Sequence, residues 1–148
     1  MTMSRSVSAG LYPRGMSNRP WPSDPREFIL DYLAAWNAAD VARVIDAFHV
    51  PSLIHTDGAV IQQLTPESRL DFLGAYVDST RDALAAGGRW TCPELAILEL
   101  GRDAALATAQ WVFTTAHGEV TEDYFDSYLL TLIDGRWYVL ADAIHKAG

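Results

Sequence analysis

Three short turns divide the second half of this chain into four extended runs, and this pattern constrains the fold more than any other feature. Gly101-Arg102-Asp103, His117-Gly118 and Asp134-Gly135 separate segments near 89–100, 104–117, 119–133 and 136–146. Such tight connections join antiparallel neighbours, because a parallel crossover needs a dozen or more residues. An antiparallel meander is therefore predicted over residues 89–146.

The first half reads differently. Asp24 is a predicted helix N-cap, with Pro25 at the first helical position and Glu27 in capping-box spacing. Phe28, Tyr32 and Trp36 form an i, i+4 stripe beside Ile29 and Leu33. Asn37-Ala38-Ala39-Asp40 ends this helix and caps a second, short one, whose apolar side is Val41, Val44, Ile45 and Phe48 and which Pro51 ends. Leu53 to Leu64 reads as a hairpin around Asp57-Gly58. Thr65-Pro66-Glu67 opens a third helix that buries Leu70, Leu73, Tyr76, Val77, Thr80 and Leu84 before Gly87-Gly88 stops it. Helices first and a sheet afterwards make an α+β protein with helices packed on one face of a curved sheet.

A chain of 148 residues, 49% apolar, makes one domain with a substantial core. That domain is assigned to residues 23–148. Residues 1–22, rich in Ser, Arg, Gly and Pro and without periodicity, read as a loose tail, with Met16 a possible second start site and Trp21 placed to pin the tail's end. The net charge is −8, and the tail carries arginines but no acid, so the body is more acidic still. An acidic body argues against nucleic acid and anionic membranes as partners. No run approaches the length of a membrane helix, and the tail lacks the apolar centre of a signal peptide, so a cytoplasmic location is expected. Cys92, the single cysteine, reads as a structural thiol. His49, His55, His117 and His145 have no metal-ligand spacing, and no glycine-rich loop opens a helix to hold phosphate, so neither metal nor cofactor is expected.

Two stretches carry a family resemblance: Tyr32-Leu-Ala-Ala-Trp-Asn-Ala-Ala-Asp40 running on to Phe48, and Leu130-Thr-Leu-Ile-Asp-Gly-Arg-Trp-Tyr-Val-Leu140. Over about residues 25–146 the chain resembles the nuclear-transport-factor-2-like superfamily, the SnoaL-like or ketosteroid-isomerase-like cone fold. The resemblance implies a bent antiparallel sheet wrapped around three N-terminal helices, a deep apolar pocket, and a homodimer through the outer sheet face. It specifies activity poorly, since the superfamily holds isomerases, dehydratases, epoxide hydrolases, cyclases and non-catalytic members.

The resemblance also directs attention to particular residues. Tyr32 matches the tyrosine that stabilises an oxyanion in ketosteroid isomerases; it reads equally as a core phenol. Thr56 stands where those enzymes carry their proton-shuttling aspartate, which argues against steroid isomerisation as such. Their second acid falls at Asp126 or Ser127. Asp142 matches a catalytic aspartate of the limonene-epoxide-hydrolase type, whose second aspartate and arginine fall at Gln110 and Thr108.

Residue reasoning singles out Asp142 independently. Strand alternation sets Leu140, Asp142 and Ile144 on one face, opposite Trp137, Val139, Ala141 and Ala143. A carboxylate on an otherwise apolar face is paired, protonated or at a pocket. It reads either as a proton-transfer group or as a structural carboxylate bonded to helix-one groups such as Tyr32. Trp36, Tyr76, Trp90 and Trp111 are packing residues that a cone would turn into pocket walls, suited to a flat or polycyclic ligand.

The leading expectation is a cofactor-independent enzyme performing isomerisation, dehydration, cyclisation or hydration on an apolar small molecule. Asp142, Tyr32 and Asp126 are its chemical groups, and Trp36, Thr56, Tyr76, Trp90, Thr108, Gln110 and Trp111 its binding residues. The alternative is a non-catalytic ligand-binding or dimeric interaction module on the same cone.

Overall fold

A computed structural model describes residues 19–145. Residues 1–18 of the predicted tail, with the Met16 start, lie outside the described residues. Helix α1 spans Pro25–Asn37, with the Asp24 side chain accepting from the Glu27 N–H. Ala39 ends it in a left-handed conformation (φ 51°), and Asp40 caps α2, Val41–Asp46, by accepting from the Arg43 N–H at 3.1 Å. Strands β1 (Phe48–Thr56) and β2 (Ala59–Gln63) follow as a hairpin around Asp57 and Gly58, both at positive φ.

The next helical run has three parts: α3 (Pro66–Arg69), a wider π turn at Leu70–Gly74, and α4 (Ala75–Ala85). Its capping box is closed by Ser68. The π turn is a departure from the uniform helix expected here. Gly74 lies against Val41 of α2, where an added Cβ would come within 3.4 Å of a Val41 methyl and 2.8 Å of Leu70.

Strands β3 (Arg89–Thr91), β4 (Leu95–Glu99), β5 (Ala104–Thr114), β6 (Val120–Ile133) and β7 (Arg136–His145) complete one seven-stranded sheet. Its order is β2-β1-β7-β6-β5-β3, with β4 also paired to β5. All pairings are antiparallel except β1 with β7. The hairpin thus extends the main sheet, with the helices against one face of it: the α+β cone expected.

Three local expectations are corrected. The segment 89–100 is two strands, because Pro93 cannot continue a ladder. Phe48 belongs to β1, where it pairs with Val139, and Pro51 lies inside that strand at a register shift between Phe48 and Leu53, where no ladder hydrogen bond is required of it. Leu140 is an extra residue in β7: Leu130 pairs with Val139 and Leu129 with Ala141. The bulge reverses the alternation, so Trp137, Val139 and Asp142 are all buried on the inner face.

The chain before α1 is tied down by a buried cation. The Arg43 side chain is 1% exposed, stacks 3.5 Å from the centre of the Trp21 ring, and bonds Asp31 at 2.7 Å and the carbonyls of Arg19 and Pro20. Trp21 Nε1 donates to Asp46 at 3.0 Å, and Trp137 Nε1 donates to the Ser23 carbonyl at 2.7 Å. Residues 19–23 therefore pack against the body, and Trp21 is the pin.

Candidate active site

The cone encloses one aromatic cavity between the helices and the inner sheet face. Tyr32 and Trp36 come from α1, one helical turn apart. Phe72 and Leu73 from the π turn and Tyr76 from α4 close the opposite side. The sheet supplies Ile54, Trp90, Trp111, Tyr124, Asp126, Tyr128, Asp142 and Ile144. The rings meet largely edge to face: Tyr32 lies 6.1 Å from Tyr128 and 6.4 Å from Trp111, and Trp36 lies 5.4 Å from Tyr76 and 6.0 Å from Trp90. Little room is left between them. About 30 Å³ is open to the centre of a water molecule, room for one or two waters and far short of the roughly 150 Å³ apolar cavity that takes a benzene ring. The polycyclic ligand expected from the aromatic content does not fit this space without movement of the rings.

Two carboxyl groups sit in the cavity wall. In the β6–β7 register Asp126 faces Ile144 and Tyr128 faces Asp142, so the two aspartates are diagonal neighbours on one face, within reach of one another. Asp126 is 4% exposed and Asp142 is 5%. Burial pushes the Asp126 carboxyl up to about 6, while hydrogen bonds from Asp142 and Tyr128 hold it from rising further. Burial, the neighbouring Asp126 charge and the proton Asp142 donates to Asp126 push Asp142 well above the carboxylate range. The two carboxyls therefore titrate as one coupled pair, which holds protons well above the ordinary carboxylate range. One oxygen of each carboxyl, Oδ1, is buried without a hydrogen-bond partner.

Phenols surround the pair. Trp111 Nε1 donates to the Tyr128 hydroxyl at 2.9 Å, which leaves the Tyr128 proton for Asp126. Trp36 donates to the Tyr32 oxygen, leaving the Tyr32 proton to point at another acceptor. Burial, with smaller contributions from the Asp142 and Asp126 carboxyls, raises Tyr32 well above the ordinary phenol value, so it stays a neutral donor. Tyr124 bonds Tyr76, and burial keeps both phenols protonated.

Of the residues singled out in the sequence, the cavity brings together Tyr32, Trp36, Tyr76, Trp90, Trp111, Asp126 and Asp142. Ser127, the other register for the second acid, faces outward and bonds His145 at 3.1 Å. Three residues are corrected. Thr108 is exposed, and Gln110 bonds Asp123 at 2.9 Å on the outer side, because strand alternation gives the inner face of β5 to Ala107, Ala109 and Trp111. Thr56 lies at the end of β1 beyond the lining residue Ile54. Tyr124 and Tyr128 were missed, although they share the parity of Asp126 along β6. Among the described residues no three His, Cys, Asp or Glu side chains converge as a metal site needs, and no helix is long and apolar enough to cross a membrane.

Residues 23–147 match a family described as NTF2-like protein (DUF6841). No curated protein matches the sequence significantly. Solved structures similar to this one include an NTF2-like protein with a cystatin-like fold from Novosphingobium aromaticivorans, at TM-score 0.66 and 14% identity over 80% of this chain and 77% of that one. Another is a Mycobacterium tuberculosis protein of unknown function, at TM-score 0.61 and 22% identity over 78% of this chain. This chain spans 65% of the length of that protein, just under two thirds. A third is a candidate ketosteroid isomerase from Shewanella frigidimarina, at TM-score 0.61 and 18% identity over 85% of this chain and 99% of that one. At such identities the likeness is one of fold. On the match over most of its length, the chain belongs to the NTF2-like DUF6841 family.

Proposed function

We propose that this protein is a cofactor-independent acid–base enzyme acting on a small apolar molecule. The observation that carries the reading is the buried Asp126–Asp142 pair in an aromatic cavity. Two carboxyls whose surroundings separate their proton affinities supply an acid and a base together. Asp126, charged and poised at about 6, takes a proton from the substrate, and protonated Asp142 returns one to it. Tyr32, with its own oxygen already bonded by Trp36, donates to the substrate oxygen as charge develops there. Isomerisation, dehydration, cyclisation and hydration all use this combination. The description of the Shewanella frigidimarina relative is compatible with the first, although the position of the isomerase base is Thr56 in this chain.

The narrowness of the cavity favours a second reading, in which the rings are core and the protein works as a dimeric interaction module through its outer sheet face. A thermal-shift screen against single-ring ketones, terpenoid epoxides, aromatic polyketides and steroids separates the two. A ligand that raises the midpoint in the wild type and less in Asp142→Asn supports the enzyme, and turnover assays then follow on that scaffold. Full activity of Asp142→Asn on an identified substrate refutes the assignment.

A further inference from the structure

The lining of the cavity divides by depth. Trp36, Phe72, Tyr76, Tyr124 and Ile144 are half-buried, whereas Tyr32, Trp111, Tyr128, Asp126 and Asp142 are buried. Solvent reaches the first set, which marks the mouth, and the carboxyls stand on the floor behind it. Position along the strands agrees. Tyr124 lies two residues from Asp126 and Ile144 two residues from Asp142, in the same direction across the antiparallel pair.

The mouth is crossed by a hydrogen bond. Tyr76 comes from α4 and Tyr124 from β6, so helix and sheet each supply one phenol, and the two hydroxyls bond one another. Trp36 meets Tyr76 edge to face at 5.4 Å, and Trp90 meets Tyr124 at 6.1 Å, so each phenol is held against an indole. Burial keeps both phenols protonated, so the bond persists through the neutral range. Tyr76 stands directly behind the π turn, the irregular part of its helical run, and turns of this kind are frequent at functional sites.

We propose that the Tyr76–Tyr124 bond is a latch across the cavity mouth, and that a ligand reaches Asp126 and Asp142 only when it opens. This rests on the reading of the cavity as a small-molecule site, and it accounts for the space of about 30 Å³ as the closed state of that site. Tyr76 and Tyr124 take no part in proton transfer; they govern entry.

The test uses the full chain without ligand. Trp111 Nε1 lies behind the latch, bonded to Tyr128, and Trp137 Nε1 lies outside the cavity lining, bonded to the Ser23 carbonyl. Exchange of each indole N–H with solvent deuterium is followed by NMR, the two signals being identified by their loss in Trp111→Phe and Trp137→Phe. Tyr124→Phe should speed exchange at Trp111 about fivefold, the worth of one net hydrogen bond, and leave Trp137 unchanged. Tyr76→Phe should do the same, and the double variant should be no faster than either, because all three lose one and the same bond. If Trp111 keeps its rate, if Trp137 accelerates in step with it, or if the two substitutions multiply, the latch is refuted. The small-molecule reading survives that result, since the thermal-shift screen judges it separately.

Discussion

Replacing both Asp126 and Asp142 by asparagine should flatten the dependence of stability on pH. Asparagine keeps the shape of each side chain and removes its titration. In the wild type both carboxyls are raised by burial, so the folded chain binds more protons than the unfolded chain above the ordinary carboxylate range. Where the native state holds the extra proton, unfolding free energy falls as pH rises. The stabilising protons are fully present below the unfolded value and lost as pH passes through the folded one. For Asp126 the interval from 3.8 to about 6, at 1.36 kcal/mol per pH unit, amounts to about 3 kcal/mol. Asp142, raised further, adds in the same direction over the same interval and above it. Urea unfolding followed by tryptophan fluorescence at about pH 4 and about pH 8 measures the effect. The wild type should lose about 3 kcal/mol or more beyond what the double variant loses over that interval. Background titration of surface groups is common to both proteins and cancels. Parallel curves would refute the reasoning.

Other perturbations test the frame around the site. Arg43→Met removes the buried guanidinium from Asp31 and Trp21 and should cost about 3 kcal/mol in urea unfolding; a loss below ~1 kcal/mol would mean the pin at Trp21 holds little. Gly88→Ala would set a Cβ 2.6 Å from Phe113 and 2.8 Å from the Ala83 carbonyl, which cannot move aside cheaply, so a loss of about 1–3 kcal/mol is expected by the same assay. Leu98 and Leu106, cross-strand partners 59% and 40% exposed on the outer face, are the contact on which the interaction reading depends. Leu98→Glu should convert a dimer to monomer in sedimentation velocity, and a monomer already in the wild type would dismiss that face as an interface.

Much of this architecture was legible because local chemistry and global fold agree. The Asp24-Pro25 start of α1, the break at Ala39 and the Gly-containing turns at Gly58 and Gly135 are all positions where one residue type answers a backbone need. The candidate site was legible in part, for an opposite reason: Asp142 is conspicuous as a carboxylate among apolar neighbours. What stayed hidden was register. The Leu140 bulge adds one residue to β7 without any composition signal, and it alone reconciles inward Trp137 with inward Asp142. Thr108 and Gln110 were placed in the cavity by family matching, yet they cannot share a strand face with Trp111, and alternation along β5 alone would have excluded them. The same alternation along β6 leads from Asp126 to Tyr124 and Tyr128. Pro51 looked like a helix terminator, because nothing local shows that its strand has a register shift at that place.

The central claim is that Asp126 and Asp142 form a buried, coupled pair that holds protons well above the ordinary carboxylate range. Carbon NMR of the aspartate side-chain carboxyls, assigned with the two single asparagine variants and titrated across the acid and neutral range, tests it most directly. The account predicts that Asp126 titrates at about 6 and Asp142 higher still. Two signals that both move in the ordinary carboxylate range would contradict it.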